Sequence, residues 1–192
     1  IFMVFLAFFG PSLISESYTK MNLRLRNLEP FSFDHHFMYF FGADALGRSM
    51  IARLILATQN TMFIAGSAVI LSMTLGGVLG LISGYYGGRT GNLIMRMADI
   101  IMSFPSLLLA VIVLYMFDPG LLNLVIVLAF TRMPIYMRTA RAEVLEIRER
   151  LFVSAAISMG ASNLRVIFKH IAPLTIPTLI TIATLDFAFV MS

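Results

Sequence analysis

The 192-residue sequence predicts an all-α fold, a polytopic bundle of transmembrane helices. Three observations carry that expectation. Hydrophobic residues make up 59% of the chain and charged residues only 12%, with a mean hydropathy of +0.89, whereas a soluble domain of this size carries about 25% charge. The apolar residues come in long runs, and nothing charged lies between Arg53 and Arg89. The basic residues of the short connections gather at 85–96 and 138–169. The net charge of +4 is modest and one-sided, so membrane orientation accounts for it better than nucleic-acid binding. Cysteine is absent, which excludes disulfides and thiolate metal sites.

Residues 1–9 read as the end of a first transmembrane helix, closed by Gly10-Pro11. They are too short to cross alone, since a span takes about 20 residues. The chain starts and stops inside apolar runs, so it reads as a bundle truncated at both ends. Residues 10–57 form a polar extracytoplasmic segment with a short surface helix. His35-His36 lies there; two adjacent histidines with few carboxylates nearby read as a surface loop rather than a metal site.

A transmembrane domain fills residues 58–192. Its first span is expected at about 61–84, where Gly76, Gly80 and Gly84 recur every four residues. In lipid, such spacing opens a groove where another helix backbone approaches closely. The second span, 92–117, carries Arg96 and Asp99 one turn apart, able to neutralise each other, and Pro105 should bend it. Asp118-Pro119-Gly120 makes a turn. The third span, 121–138, holds Arg132, which must meet a polar cavity, a partner or, as first choice, snorkel to the surface. The fourth, 174–192, carries Asp186 well inside. Asp99, Arg132 and Asp186 are thus the intramembrane polar candidates.

Residues 139–173 form a cytoplasmic loop between the last two spans. Val144, Ile147, Leu151, Ala155 and Met159 recur at helical steps on one face, and Glu146 stands four residues before Arg150 in the favourable order for an ion pair. Gly160 ends this helix as a C′ residue and Ser162 caps a second one. Leu164, Ile167, Phe168 and Ile171 line one side of the second helix until Pro173 stops it. The product is a helix–Gly–helix elbow, amphipathic in both arms. The positive-inside rule places the elbow and residues 85–96 in the cytoplasm.

The chain lacks a GxxxxGK[ST] phosphate loop, so it does not cradle ATP in the Walker manner, and it lacks HExxH and GxSxG. No catalytic residues are expected.

The elbow resembles the cytoplasmic loop of binding-protein-dependent ABC importer permeases, with the pattern EAA, three residues, Gly, nine residues, then I-x-L-P. Ala155, Ala156, Gly160 and Pro173 stand at those spacings, with Ser154, His170 and Ala172 in place of the Glu, Ile and Leu. Further segments are similar to the dipeptide, oligopeptide and nickel branch: Ala43-Asp44-Ala45-Leu46-Gly47-Arg48-Ser49, Gly84-Tyr85-Tyr86-Gly87-Gly88, Met95-Arg96-Met97-Ala98-Asp99, Phe104-Pro105-Ser106-Leu107, Pro119-Gly120-Leu121-Leu122-Asn123 and Arg141-Ala142-Glu143-Val144-Leu145. Together they cover residues 41–185 in order.

The resemblance implies a type I importer permease in a bacterial or archaeal cytoplasmic (inner) membrane. It implies a second permease subunit as heterodimer partner, two cytosolic ATPase subunits that hold the ATP and Mg, and an extracytoplasmic solute-binding protein. This chain itself would bind no cofactor and no nucleic acid. Ser154, Ala155, Ala156, Gly160, Ala161 and Pro173 become the ATPase-coupling residues, and the solute a peptide or a similar small solute, nickel being possible; the absence of His from the spans leans towards peptides. A membrane channel or scaffold without an ATPase, its elbow a mere interfacial helix, is the alternative. A membrane enzyme fits less well, because its polar residues are scattered.

Overall fold

The computed structural model describes residues 2–14, 19–32, 36–116 and 120–191. Helices dominate them, and the sole pairing of strand type is an isolated bridge between Ala43 and Ser49. The chain divides into two compact units, Ile1–Phe63 and Ile64–Ser192.

The first unit begins with α1 (Phe2–Phe9), which passes into a 3-10 turn at Gly10–Leu13. Among the described residues of the segment, two further 3-10 turns, Leu23–Leu25 and Phe37–Tyr39, stand where a surface helix is expected. Polar anchors organise the loop instead. One oxygen of Asp44 accepts the backbone N–H groups of Leu46 and Arg48, both at 2.9 Å; the other meets Arg48 Nε at 2.8 Å and Arg53 Nη1 at 2.9 Å. The Arg48 N–H bond, then the Arg48 side chain, hold the Asp44 carboxyl at about 2. The Ser49 hydroxyl donates to the Met38 carbonyl and accepts from Ala52 N–H, capping the next helix. That helix, α2 (Met50–Tyr86), starts earlier than the expected end of the segment at residue 57. His35 lies outside the described residues; His36 accepts the Met38 N–H and caps the turn.

The second unit holds the rest of α2 followed by α3 (Gly88–Ser103), α4 (Ser106–Met116), α5 (Leu121–Ile147), α6 (Leu151–Ser158), α7 (Asn163–Arg165) and α8 (Ala172–Met191). Among the described residues of the whole chain, three stretches are long and apolar enough to cross a membrane: Met50–Tyr86, Leu121–Ile147 and Asn163–Met191. The expected span at 92–117 is broken rather than bent. Proline forces its predecessor out of the helical region, and Phe104 stands at φ −89, ψ 134, so α3 ends. The Pro105 carbonyl accepts Leu109 N–H at 3.0 Å, which opens α4.

Because α3 and α4 carry the chain back, the part of α2 within this unit runs parallel to α5 and packs against it. Ala68 meets Val125 and Ala129 at one end of the seam. Further on, a Cβ on Gly76 would stand 2.5 Å from the Met133 carbonyl, on Gly80 2.6 Å from the Met137 carbonyl, and on Gly84 2.6 Å from Val144 Cβ. Real Cβ atoms do not approach so closely, so the glycines let backbone meet backbone. α3 packs on the same helix, Ala98 and Ile101 against Met133 and Met137. α8 joins through Leu179, which packs with Tyr136 and Ala140. Thus α5 is the central post of this unit.

A coupling elbow and a buried ion pair

The elbow differs from the expected pattern in three ways. First, α5 runs past residue 138 to Ile147, so only residues 148–162 lie between it and the last long helical stretch, which starts at Asn163. Second, the amphipathic run is not one helix. It breaks at residues 148–150, where Arg148 turns its guanidinium back to the Gly84 carbonyl at 3.1 Å and to Glu149 at 3.0 Å. Arg150, extended at φ −75, ψ 144, then starts α6. The break rotates the helix face: Val144 and Ile147 are buried as expected, but Leu151 and Met159 are 88% and 83% exposed. Val153 and Ala156 go inside instead, and Val153 joins Leu81, Val144, Ile147, Val166, Ile167 and Ile171 in one apolar cluster. Glu146 pairs with Arg150 at 2.7 Å across the break.

Third, Pro173 does not stop the second arm. From α7 the backbone widens to a π-helix over Val166–Ile171 and returns to α-helix at Ala172. A proline ring clashes with the carbonyl four residues earlier in an α-helix; in the π segment the bonds run five residues back, as from Ala172 N–H to the Ile167 carbonyl. Pro173 therefore enters a continuing helix. In this arm Val166, Ile167 and Ile171 face in, while Leu164 and Phe168 are exposed.

At the corner, Gly160 N–H bonds the Ile157 carbonyl at 2.9 Å and Ala161 N–H the Ala156 carbonyl at 3.1 Å. These are the paired bonds of a Schellman end, which needs its C′ residue left-handed. Gly160 stands at φ +84, with open space where a Cβ would point. The requirement is conformational, not steric. Ala161 packs against the apolar cluster. Ser162 takes the N-cap position but its side chain makes no capping bond.

Of the coupling candidates, Ser154 and Ala155 are exposed, Ala156 is buried, Ala161 is half-buried, and Gly160 and Pro173 are exposed. Two arginines that the sequence did not single out brace the elbow's base. Arg148 is one. Arg141 is the other, donating to the Gly91 carbonyl at 2.9 Å and the buried Ser83 hydroxyl at 3.2 Å. Thr178 of α8 donates to Glu143 of α5 at 3.0 Å.

The intramembrane candidates separate. Asp99 pairs not with Arg96 but with Arg138, at 2.6 Å, because packing sets α3 against α5. Arg132 does not snorkel. Its Nη1 lies 3.3 Å from an oxygen of Asp186, and its guanidinium sits over the Phe189 ring, 4.1 Å from the centroid. Tyr136, one turn along α5, donates to the other Asp186 oxygen at 3.2 Å. Asp186 thus has its partner within the chain, 7% exposed and bonded on both oxygens. Arg132 and Phe189 also line a cavity of about 680 Å³ among Ile101, Phe104, Pro105, Leu128, Thr131 and Ile135. Tyr136 and Phe189 were not legible as site residues, since neither type is unusual in a span.

This fold and elbow define a class: a polytopic helical membrane protein with an amphipathic corner between two of its long helices. The chain belongs to the binding-protein-dependent transport system inner membrane component family, whose model matches residues 76–192. It is 37% identical over 184 residues to the dipeptide transport system permease protein of Alkalihalophilus pseudofirmus, covering 96% of this chain and 59% of the relative. It is 32% identical over 185 residues to the oligopeptide transport system permease protein of Bacillus subtilis, covering 96% and 59%. Identity to the nickel transport system permease protein of Escherichia coli K12 is 36% over 153 residues, covering 80% and 55%. The chain spans little more than half the length of these curated relatives.

Proposed function

We propose that the chain forms part of one of two permease subunits in an ATP-driven importer of the cytoplasmic membrane, with peptides as solute. The observation that carries this reading is α6. It is a short helix whose inner face is buried at Val153, which joins the apolar cluster, and at Ala156, while its outer face exposes Leu151 and Phe152, with Met159 just beyond its end. An amphipathic helix laid into a groove is a common docking mode. Here the occupant of that face is one of two cytosolic ATPase subunits, which bind the ATP and Mg that this chain has no loop to hold. An extracytoplasmic binding protein delivers the solute, and a second permease completes the path.

The mechanism follows from how the elbow is tied down. When ATP closes the ATPases, α6 is displaced as a lever. Its inner face is packed with Val144 and Ile147 of α5 and with Ile171 and Ala172 at the start of α8. Glu143–Thr178, Tyr136–Leu179 and Arg132–Asp186 join α5 to α8 at successive levels. Displacement at the elbow therefore rocks both long helices together. Ser154, on the outer face, offers a hydroxyl where an acid would offer charge, so the contact rests on apolar surface.

The full-length protein, co-expressed with its neighbouring ATPase genes, should retain the ATPase subunits on purification. Gly160→Val should abolish solute uptake, since a β-branched residue resists the left-handed conformation. Failure to retain any ATPase, together with unchanged uptake in that variant, would leave the alternative of a channel or scaffold.

A further inference from the structure

The cavity beside the Arg132–Asp186 pair carries an inference that rests on the importer reading and goes beyond it. Its walls come from the α3–α4 break, α5 and α8, and among the described residues they are apolar apart from Thr131 and Arg132. Its volume, about 680 Å³, is in the range of small-molecule sites. The two members of the ion pair are not equivalent. The Asp186 side chain is 6% exposed and the Arg132 side chain 24%. Asp186 is spent, one oxygen on Arg132 and the other on the Tyr136 hydroxyl. Arg132 is not, because a guanidinium carries several N–H donors in a planar fork and its contact with Asp186 uses Nη1. The Phe189 ring covers one face of the guanidinium, which leaves its edge for the cavity. A cation held by a buried anion behind and an aromatic face beside it is pre-organised to receive a second carboxylate.

We infer that Arg132 recognises the carboxylate of the transported solute, the C-terminal carboxylate in the case of a peptide. Asp186, Tyr136 and Phe189 are positioning residues for the guanidinium. Thr131 donates its hydroxyl to the Leu128 carbonyl at 3.0 Å, so among the described residues of the wall Arg132 is the donor left for the anion. The arrangement would make a free acid a better solute than its amide at the membrane step, whatever the binding protein prefers.

The test uses the complete transporter, with full-length chain, second permease, ATPases and binding protein, reconstituted in vesicles. Uptake of Ala-Phe and of Ala-Phe amide is measured with binding protein saturated by each, so that maximal rates report the membrane step. Removing Arg132 alone would strand Asp186, so the informative variant is Arg132→Gln with Asp186→Asn, checked for retained assembly and melting temperature. The expected result is a fall of about tenfold or more in the maximal rate for the acid, as for loss of a hydrogen bond between charged groups, with the amide rate nearly unchanged. Arg132→Lys should keep the preference for the acid. An equal fall for both compounds, or an acid preference that survives in the neutral pair, would overturn the inference and make the pair purely structural. Absence of ATP-driven uptake by the unmodified transporter would overturn the importer reading itself, and this inference with it.

Discussion

The seam between α2 and α5 and the outer face of α6 are both helix surfaces of small and apolar residues, yet they have opposite fates. Along the seam, Gly76, Gly80 and Gly84 meet Met133, Met137 and Val144 at distances where no side chain fits. On α6, Leu151 and Met159 are almost fully exposed only one turn from the buried Val153 and Ala156. The seam is complete within the chain. On the proposed reading, the α6 face is completed by an ATPase subunit. A surface built to fold and a surface built to dock therefore respond differently to substitution, and that difference can be pressed from several sides.

The largest effect on stability is expected inside, at the ion pair. Asp186→Ala strands Arg132 and leaves Tyr136 without its acceptor, and breaking a buried pair from one side costs about 3–5 kcal/mol. Reversible unfolding of the purified protein in mixed micelles would measure it. Gly80→Val comes next. The added side chain meets the Met137 carbonyl and Ala140 Cβ, and overpacking of this kind costs about 1–3 kcal/mol; the same unfolding assay should show a lowered midpoint. At the elbow, Gly160→Ala forces a Cβ into the left-handed region at about 1–2 kcal/mol. Because the space around it is open, the loss should appear as local hydrogen exchange in residues 156–162 more than in the global midpoint. Leu151→Ser with Met159→Ser should leave stability within about 0.5 kcal/mol, as exposed positions do, while removing ATPase capture. An unfolding midpoint lowered as much as by Gly80→Val would erase the distinction between the two surfaces.

The smallest effect is a pH dependence in the Asp44 loop. Its folded pKa, about 2, lies below the ordinary carboxyl value of 3.8. A depressed carboxyl stabilises the loop fully above the unfolded value, and that contribution is lost as pH falls through the folded one. Protection of the Leu46 and Arg48 amides should therefore be constant above about pH 4 and fade towards pH 2. Protection that falls near pH 6 would implicate a different group.

Much of this architecture was legible in the sequence because it depends on local chemistry. Uncharged length marks the long helices, four-residue glycine spacing marks the groove, and Gly160 marks the corner. What was not legible depends on partners distant in the chain. The break at residues 148–150 is held by the Gly84 carbonyl, some sixty positions away, so the periodic run through Leu151 and Met159 looked continuous. Arg132 and Asp186 were each visible as buried charge candidates, but no spacing rule pairs residues on two helices separated by the elbow. Asp99 had a neighbour of opposite charge one turn away, Arg96, and tertiary packing supplied Arg138 instead. The passage of Pro173 through a π segment is a backbone adjustment with no compositional sign.

The outer face of α6 is where the account is most directly tested. The 192 residues contain no cysteine, so Met159→Cys and Ile126→Cys each place one thiol within them, the first on the elbow and the second on an exposed flank of α5. With any cysteine elsewhere in the full-length protein replaced, a short thiol–amine cross-linker should join position 159 to an ATPase subunit, at higher yield with ATP, and leave position 126 unlinked to it. Equal linkage from both positions, or none from position 159 in a transporter that still drives uptake, would contradict the assignment of this face to the ATPase.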